Sequence, residues 1–593
     1  MKPAEAGVGA PSTINILSYN CWGLKYLAKY RVERLQEIGR SIAAAVTTPE
    51  IVGLQECWTQ EDYLAIRRQT RHILPHGKFY HSGIFGGGLA ILSKWPILES
   101  NMVRYPLNGR PTAFFRGDWY VGKGVACASI QTAQGKESIV EVFCTHLHAP
   151  YAPESEDSYM CHRTAQAWEI ARLMRQAAER GHAVIGLGDF NLTPSSLAYQ
   201  LITTHAPVQD VWRALHPDSS IASATHPLEK ARRRGMPNAR YNLRENGTTC
   251  DSVLNTWRWS KQQQKQLFKG KSIIVDQTQP DPRAKRLDYI FFSSGLSVSP
   301  RPAPWRIDSA RVGMTERHPT LDCSLSDHFS VEATVSRAPP GSTTNAAVKP
   351  KQSPLPEQTS DTALRTLTNT SLHPTLYTSY NPSPTSSLLP GSFTRTPSPP
   401  DAPSDQGSAT SQRYLPPSVY DEILALITSD RMRAHRQRRL RLFHFVASII
   451  ISMICFIAIW WSSHAGISFM LVFISTLNLG GGIVQGLIGG LFEGSEMRAL
   501  KEFQWEMERC KESAETVDEK EGAVTEGVMK PTSVDNEGHA EGRILRRHSL
   551  EEAKMSGEEE KELWEKVRAS EEYSGKENRR RGQGRFVEFH GNA

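Results

Sequence analysis

The sequence predicts a mixed α/β fold with sandwich-like layering, followed by a hairpin of two apolar helices. Three observations carry that expectation. Between residues 14 and 336, short apolar runs alternate with amphipathic stretches, and strand-like runs outnumber helical ones. Several of these runs end against a carboxylate, an amide or an imidazole. Further on, two stretches of about 20 residues or more carry no charge, the length that matches a bilayer's hydrocarbon core.

In chain order, residues 14–19, 51–54, 89–92, 125–130, 139–144, 183–187, 289–292 and 329–335 read as strands. Residues 31–46 and 163–180 read as helices, the second closed by Gly181 as a C-terminal cap. Too few helices separate the strands for strict βαβ alternation. Residues 1–13 form an N-terminal extension without an apolar signal core, so classical secretion is not expected. Within the 14–336 domain a basic polar stretch, about 216–285 and including Arg232-Arg233-Arg234-Gly235, reads as an insertion or long loop.

Residues 337–415 are dominated by Ser, Thr, Pro and Asn and are expected to be a disordered linker, because such a segment buries too little apolar surface to offset its ordering entropy. An amphipathic and Arg-rich juxtamembrane segment, 416–441, contains Arg431, Arg433, Arg436, Arg438, Arg439 and Arg441. Transmembrane helices are expected at 442–461 and 467–492, with Trp460 and Trp461 in the interfacial belt and Gly480, Gly481, Gly482, Gly486, Gly489 and Gly490 allowing close helix approach. The arginines place the catalytic region and both termini in the cytosol by the positive-inside rule. The tail, 498–593, is charged, aromatic-poor and expected to be largely disordered or transiently helical, and Arg546-Arg547-His548-Ser549-Leu550 is a weak kinase-site match at Ser549. Nine cysteines, an odd and dispersed set without zinc-knuckle spacing, read as reduced thiols rather than a disulfide framework.

The polar run ends point to metal-assisted phosphoester hydrolysis. Glu56 follows a buried apolar run and is the best candidate metal ligand, since Mg²⁺ takes one or two carboxylates together with water and substrate oxygens, and Asn20 is a candidate either to assist at the same ion or to hold the phosphate. Asp189 and Asn191, read as an extended segment, share one face. His328 is a candidate base with Asp288 as its orienting acid, Asp327 precedes it, and His146 is placed to meet a phosphate or leaving group. Gly117-Asp118-Trp119-Tyr120-Val121-Gly122-Lys123-Gly124 nearly spells a nucleotide P-loop. It lacks the Ser/Thr after the lysine, and a strand follows it rather than a helix, so that reading fails. Lys123 is still placed to contact a phosphate, and the aromatics Tyr105, Phe114, Phe115, Trp119 and Tyr120 are placed either to dip into a membrane interface or to pack on the sheet.

The ordered set Asn20, Glu56, His146, Asp189/Asn191, Asp288 and Asp327/His328 resembles the endonuclease/exonuclease/phosphatase superfamily with its DNase I-like fold. The segment 117–124, together with Gly247-Thr248-Thr249-Cys250-Asp251-Ser252 and Asn255-Thr256-Trp257, is similar to neutral sphingomyelinases. The domain-plus-hairpin layout resembles fungal-type inositol phosphosphingolipid phospholipases C. The resemblance implies a four-layer α/β/β/α sandwich and Mg²⁺-dependent cleavage of inositol phosphosphingolipids or sphingomyelin to ceramide and a phosphorylated headgroup. It implies Glu56 and Asn20 at Mg²⁺, His328, Asp288 and Asp189 activating water, Asn191 and His146 on the phosphoryl group, and Asp327 near the metal. It further implies control by Asp118 and Lys123, and stimulation by anionic phospholipids such as phosphatidylserine or cardiolipin docking on the arginine cluster. Endoplasmic reticulum and mitochondrial outer membrane both suit the layout. Competing readings are an inositol phosphatase or nuclease on the same fold and a non-catalytic sphingolipid-binding membrane scaffold. The catalytic region is not strongly basic, so no nucleic-acid partner is expected.

Overall fold

The computed structural model describes residues 11–113, 116–135, 138–152, 157–296, 305–337 and 414–527. Phe114, Phe115, nearly all of the expected linker and the tail beyond 527 with Ser549 lie outside the described residues. The chain divides into two compact units, Met1–Ala523 and Val524–Ala593, and the second is described only where it ends the last helix.

The strands are β1 (Thr13–Asn20), β2 (Ile51–Gln55), β3 (His76–Tyr80), β4 (Leu89–Ser93), β5 (Ile97–Arg104), β6 (Gly124–Gln131), β7 (Ile139–His146), β8 (Ala183–Asp189), β9 (Gln209–Asp210), β10 (Asp288–Ser293), β11 (Trp305–Gly313) and β12 (Ser330–Arg337). They form two six-stranded sheets, ordered β11-β12-β1-β2-β4-β3 and β5-β6-β7-β8-β10-β9. Neighbours run antiparallel except for the central pairs β1/β2 and β7/β8.

The inner strands are buried on both faces, and the two-residue side-chain period sorts them into layers. Ile14, Ile16, Ile51, Ile91, Val142, Cys144, Ile185 and Leu187 meet between the sheets. Leu17, Tyr19, Val52, Leu54 and Leu92 face outward onto α1 (Arg31–Ala43) and α2 (Gln60–Thr70). A single turn, α3 (Asp118–Val121), precedes β6. On the far side Phe143, Val184 and Phe291 pack against α4 (Met160–Glu179) and α5 (Leu197–His205). The result is the α/β/β/α sandwich. The sheets approach so closely that a Cβ at Gly53 would lie 1.8 Å from Leu187 Cδ1.

All eight expected strands and both expected helices are present. The strands that escaped the sequence reading, β3, β5, β9 and β11, all lie at sheet edges and carry no continuous apolar run. The 216–285 stretch holds short helices. After α6 (Val211–Leu215) come α7 (Pro227–Ala231), α8 (Ala239–Tyr241) and α9 (Lys261–Leu267).

Among the described residues, two helices are long and apolar enough to cross a membrane. The first, α10 (Pro417–Ile459), runs unbroken from the amphipathic segment through the first apolar stretch. The second, α11 (Ala465–Leu487), passes through a π-turn, Ile488–Phe492, into α12 (Glu493–Gly527). Gly482, Gly486 and Gly489 let the hairpin close, whereas a Cβ on Gly480, Gly481 or Gly490 would meet nothing within 4 Å: a Cβ on Gly482 would sit 2.3 Å from Ser448 Cβ, and Asn478 Nδ2 donates to Ser448 O at 3.0 Å. The expectation of a largely unstructured tail from 498 differs from the structure over its first thirty residues. Leu500, Phe503, Met507, Cys510 and Ala514 recur at helical spacing along α12 and pack with Tyr420, Ile423 and Ile427 of α10 on Cys161, Ala165 and Trp168 of α4. Those five residues are sparse among charges, so composition alone hid the helix.

Candidate active site

The polar residues converge because of strand direction. β1 and β2 end together at Asn20 and Gln55, and β7 and β8 end together at His146 and Asp189. β10 runs the other way, so its first residue, Asp288, lies opposite Asp189. β12 opposes β1 and begins just after His328. One end of the sandwich therefore collects residues from both sheets, held by rigid elements.

Asp189 is the hub. Its Oδ2 accepts from Asn20 Nδ2 at 3.0 Å and lies 3.5 Å from His146 Nε2 and 3.9 Å from His328 Nε2. Burial pushes its carboxyl up to about 7. Asn20 Nδ2 also reaches Glu56 Oε1 at 3.2 Å, while Asn20 Oδ1 accepts from the Trp22 N–H at 3.0 Å. Asn20 thus bridges two carboxylates with its amide nitrogen, and Glu56 is the oxygen donor of the pair. Burial, then the nearby Asp327 charge, raises the pKa of Glu56. The backbone at Glu56 is left-handed (φ 53°), which turns its side chain back over the strand end.

His328 Nδ1 lies 2.8 Å from Asp288 Oδ2, so Asp288 orients the ring and leaves Nε2 facing Asp189. Burial opposes charge on His328, but the acidic groups Cys250, Asp288 and Asp189 outweigh it and hold its pKa well above the usual value. His146 goes the other way: burial, then Lys123, lowers its pKa well below the usual value, and its Nδ1 has no hydrogen-bond partner among the described residues. Asp327 lies 3.6 Å from Arg258 NH2.

Asn191 reaches the site by a different route from the alternation expected for it. Its backbone is left-handed (φ 48°), its N–H donates to Asp189 Oδ1 at 3.0 Å, and its Nδ2 donates to Leu147 O at 3.1 Å. A turn at the strand end, not an extended segment, brings the pair together.

Beside this cluster, Lys123 Nζ is buried 3.3 Å from Asp118 Oδ1 and donates to the same Leu147 carbonyl at 2.9 Å. Burial alone would raise Asp118, yet Lys123, His148 and the Tyr151 hydroxyl hold its carboxyl below the usual range. Tyr151 OH donates to Asp118 Oδ2 at 2.6 Å, and His148 Nε2 stands 3.4 Å from that oxygen. His148 and Tyr151 were not singled out from sequence, although His148 sits two residues from His146 in the same strand-end run. Tyr105 is buried with its hydroxyl on Thr145 Oγ1.

The 247–257 segment braces the acid–base pair. Thr249 Oγ1 accepts from the N–H of Leu287 and of Asp288, and Thr249 O accepts from the Phe329 N–H. Asn255 Nδ2 donates to Ser326 O, and Ser326 Oγ donates to Asn20 O. Arg34, fully buried, donates to Lys29, Cys21, Trp22 and Leu325 carbonyls and stacks on Trp22 and Trp257. All nine cysteines are free thiols.

The donor set fits a hard divalent cation. Glu56, Asp189 and Asp288 crowd one site, faced by Lys123 and the His328 ring. Asp189, Asp288 and His328 also present ligand atoms within 4.8 Å of one another, but the His328–Asp288 pair is at hydrogen-bond distance, which suits a base and its orienting acid.

Among the juxtamembrane arginines, Arg431 bonds Gln504, Arg433 pairs with Asp430, and Arg441 bonds Glu493 and Gln485.

Residues 17–328 match the model of the Endonuclease/Exonuclease/phosphatase family. The chain is 44% identical over 323 residues to the inositol phosphosphingolipids phospholipase C of Schizosaccharomyces pombe, an alignment spanning 54% of this chain and 68% of that protein. It is 32% identical over 520 residues to the protein of the same name from Saccharomyces cerevisiae, spanning 84% and 89%. Against human sphingomyelin phosphodiesterase 2 it is 32% identical over 199 residues, spanning 34% and 46%.

Proposed function

Since the chain belongs to the endonuclease/exonuclease/phosphatase family, in its branch of inositol phosphosphingolipid phospholipases C and neutral sphingomyelinases, we propose that it hydrolyses inositol phosphosphingolipids, sphingomyelin or both to ceramide and a phosphorylated headgroup. The enzyme is a phosphoric diester hydrolase. The observation that best supports the finer reading is Asp189 Oδ2, which faces Asn20 and both candidate imidazoles in one cleft.

In this reading Glu56 would hold Mg²⁺, with Asn20 fixing the carboxylate. When bound, the cation supplies Lewis-acid polarisation of the phosphate and stabilises charge on the departing oxygen. His328 takes a proton at Nε2 from the attacking water, with Asp288 holding Nδ1 and Asp189 holding the water in line. Water adds at phosphorus, the bond between phosphorus and the ceramide oxygen breaks, and that oxygen takes a proton from solvent to leave as the ceramide hydroxyl while His328 returns its own proton to solvent. His146 and Asn191 face the phosphoryl oxygens as charge builds, and Asp327 acts at the edge of the metal site. The Asp118–Lys123 pair, one hydrogen bond from Leu147 and so from Asn191, sets the shape of the phosphate pocket.

The helices α10 and α11 anchor the enzyme in an endoplasmic reticulum or mitochondrial outer membrane, with the catalytic region cytosolic. Arg431, Arg433, Arg436, Arg438, Arg439 and Arg441 dock anionic phospholipid such as phosphatidylserine or cardiolipin. Because Arg441 bonds Glu493, lipid headgroups compete there with a protein carboxylate. Parallel assays on inositol phosphoceramide and sphingomyelin, with Mg²⁺ or chelator and with or without phosphatidylserine, test the reading. Metal-dependent ceramide release is expected, and the ratio of the two rates names the headgroup. No release from either lipid by folded protein would overturn it.

A further inference from the structure

We propose that the loops 24–30 and 82–88 form a second membrane contact, an apolar rim that lies in an anionic lipid surface and holds the mouth of the catalytic cleft against it. The inference rests on the reading above that the site acts on a membrane lipid.

Each loop holds an adjacent pair of large apolar side chains in water. Tyr26 and Leu27 are 88% and 75% exposed, and Ile84 and Phe85 are 67% and 59% exposed. The second pair stands in Gly83-Ile84-Phe85-Gly86-Gly87-Gly88, where Gly83, Gly86 and Gly88 take φ of 54°, 93° and 66°. These turns project the pair outward, where a folded core would have drawn it in.

Both loops lie at the end of the first sheet that carries the site. Residues 24–30 follow β1 just past Asn20 and Trp22. Residues 82–88 lead into β4, and the Gly88 carbonyl accepts the Cys57 N–H at 3.0 Å, one residue from Glu56. The rim therefore flanks Glu56 on two sides.

The membrane helices supply the direction. Phe492, the last apolar residue of the second span, meets the Trp119 ring edge-on at 5.0 Å. The next residue, Tyr120, accepts the N–H groups of Ile84 and Phe85 at 2.8 and 3.2 Å, and its ring lies 6.1 Å from that of Phe85. Contacts thus run without a break from the point where the span ends to the exposed Phe85. Of the loop aromatics, Trp119 covers the span's end, and Ile84 and Phe85 are the neighbours left facing outward. Around Tyr26 and Leu27 stand Lys25 and Lys29, with Lys25 Nζ 5.7 Å from the Tyr26 ring. Apolar residues flanked by lysines fit an anionic lipid interface.

The test uses the full-length protein in phosphatidylcholine vesicles with a minor share of phosphatidylserine. Photoreactive benzoylphenylalanine is placed at position 26, at position 85, or at position 46. Val46 is 96% exposed and precedes β2, at the opposite end of the sheet. Lipid adducts at 26 and 85 but not at 46 are the expected result. In parallel, the double variants Tyr26→Ser/Leu27→Ser and Ile84→Ser/Phe85→Ser are expected to lose about tenfold turnover on vesicle-embedded sphingolipid. Their hydrolysis of a water-soluble short-chain analogue should stay unchanged, which also shows that they fold. Adducts at none or all of the three positions, or equal losses on both substrates, would overturn the proposal. Wild-type adducts at 26 and 85 without hydrolysis of either substrate would support docking and sink the proposed substrate.

Discussion

His328 and Asp288 act as one unit, because the 2.8 Å contact from Nδ1 is what aims Nε2 at Asp189. His328→Ala is expected to cut kcat by about 10²–10⁴-fold, the range of general-base catalysis, with little change in Tm. Asp288→Asn should preserve the fold and lose much of the same rate, and a wild-type rate in either variant would remove the pair from the chemistry. His205 carries a separate, purely structural pH effect. Burial, then Arg175 and Arg172, holds its pKa down to about 3, and it stacks on Trp168. Below the ordinary histidine value near 6.5 the unfolded chain takes up a proton that the folded one refuses, so stability falls as pH drops through that window. His205→Phe should therefore raise Tm at pH 5 relative to wild type and leave it nearly unchanged at pH 8, as differential scanning calorimetry would show. The strand-end residues were legible in the sequence because each stands where an apolar run meets a polar one. Arg34 was not: inside a predicted amphipathic helix it resembles a surface charge, and only the fold reveals the four carbonyls it serves. The left-handed turns at Glu56 and Asn191 were equally hidden, since neither residue type demands them.

At the scale of elements, the central strands could be read from sequence because burial on both faces makes them continuously apolar. The more exposed edge strands could not. The most consequential omission is α12, which ties α10 and the catalytic region together through Leu500, Phe503 and Met507. A charge placed in that seam has no partner, so Met507→Asp should cost about 1–3 kcal/mol or more of local stability, read as faster hydrogen exchange across 493–518. Unchanged protection would show that the seam does not hold the helix. Nearby, His162 lies 3.5 Å from Asp430 of α10 and 3.4 Å from Glu496 of α12, with Arg110 3.8 Å from each carboxylate. Burial opposes its charge, but the two acids win and raise its pKa. Its stabilising contribution is therefore complete below the ordinary histidine range and is lost as pH rises through the raised value. Protection of α12 should decline on the alkaline side, and Glu496→Gln should flatten that dependence.

Taken whole, the molecule sets its candidate active site at one end of a two-sheet sandwich and ties the flank of that sandwich to the two helices long and apolar enough to cross a membrane. The division into an α/β domain and an apolar hairpin was legible from composition and run length. The packing of the hairpin's flanking helices on α4 was not, because it depends on a few apolar residues separated by tens to hundreds of positions. The central claim is hydrolysis at phosphorus with ceramide as the leaving group, carried by Asp189 and a metal at Glu56. Turnover of inositol phosphoceramide and sphingomyelin in ¹⁸O-labelled water, followed by mass spectrometry of both products, tests it most directly. One labelled oxygen is expected in the headgroup phosphate and none in ceramide, with both products lost on chelation and in Asp189→Ala. Label in ceramide or in ceramide phosphate, or undiminished turnover by Asp189→Ala, would contradict it.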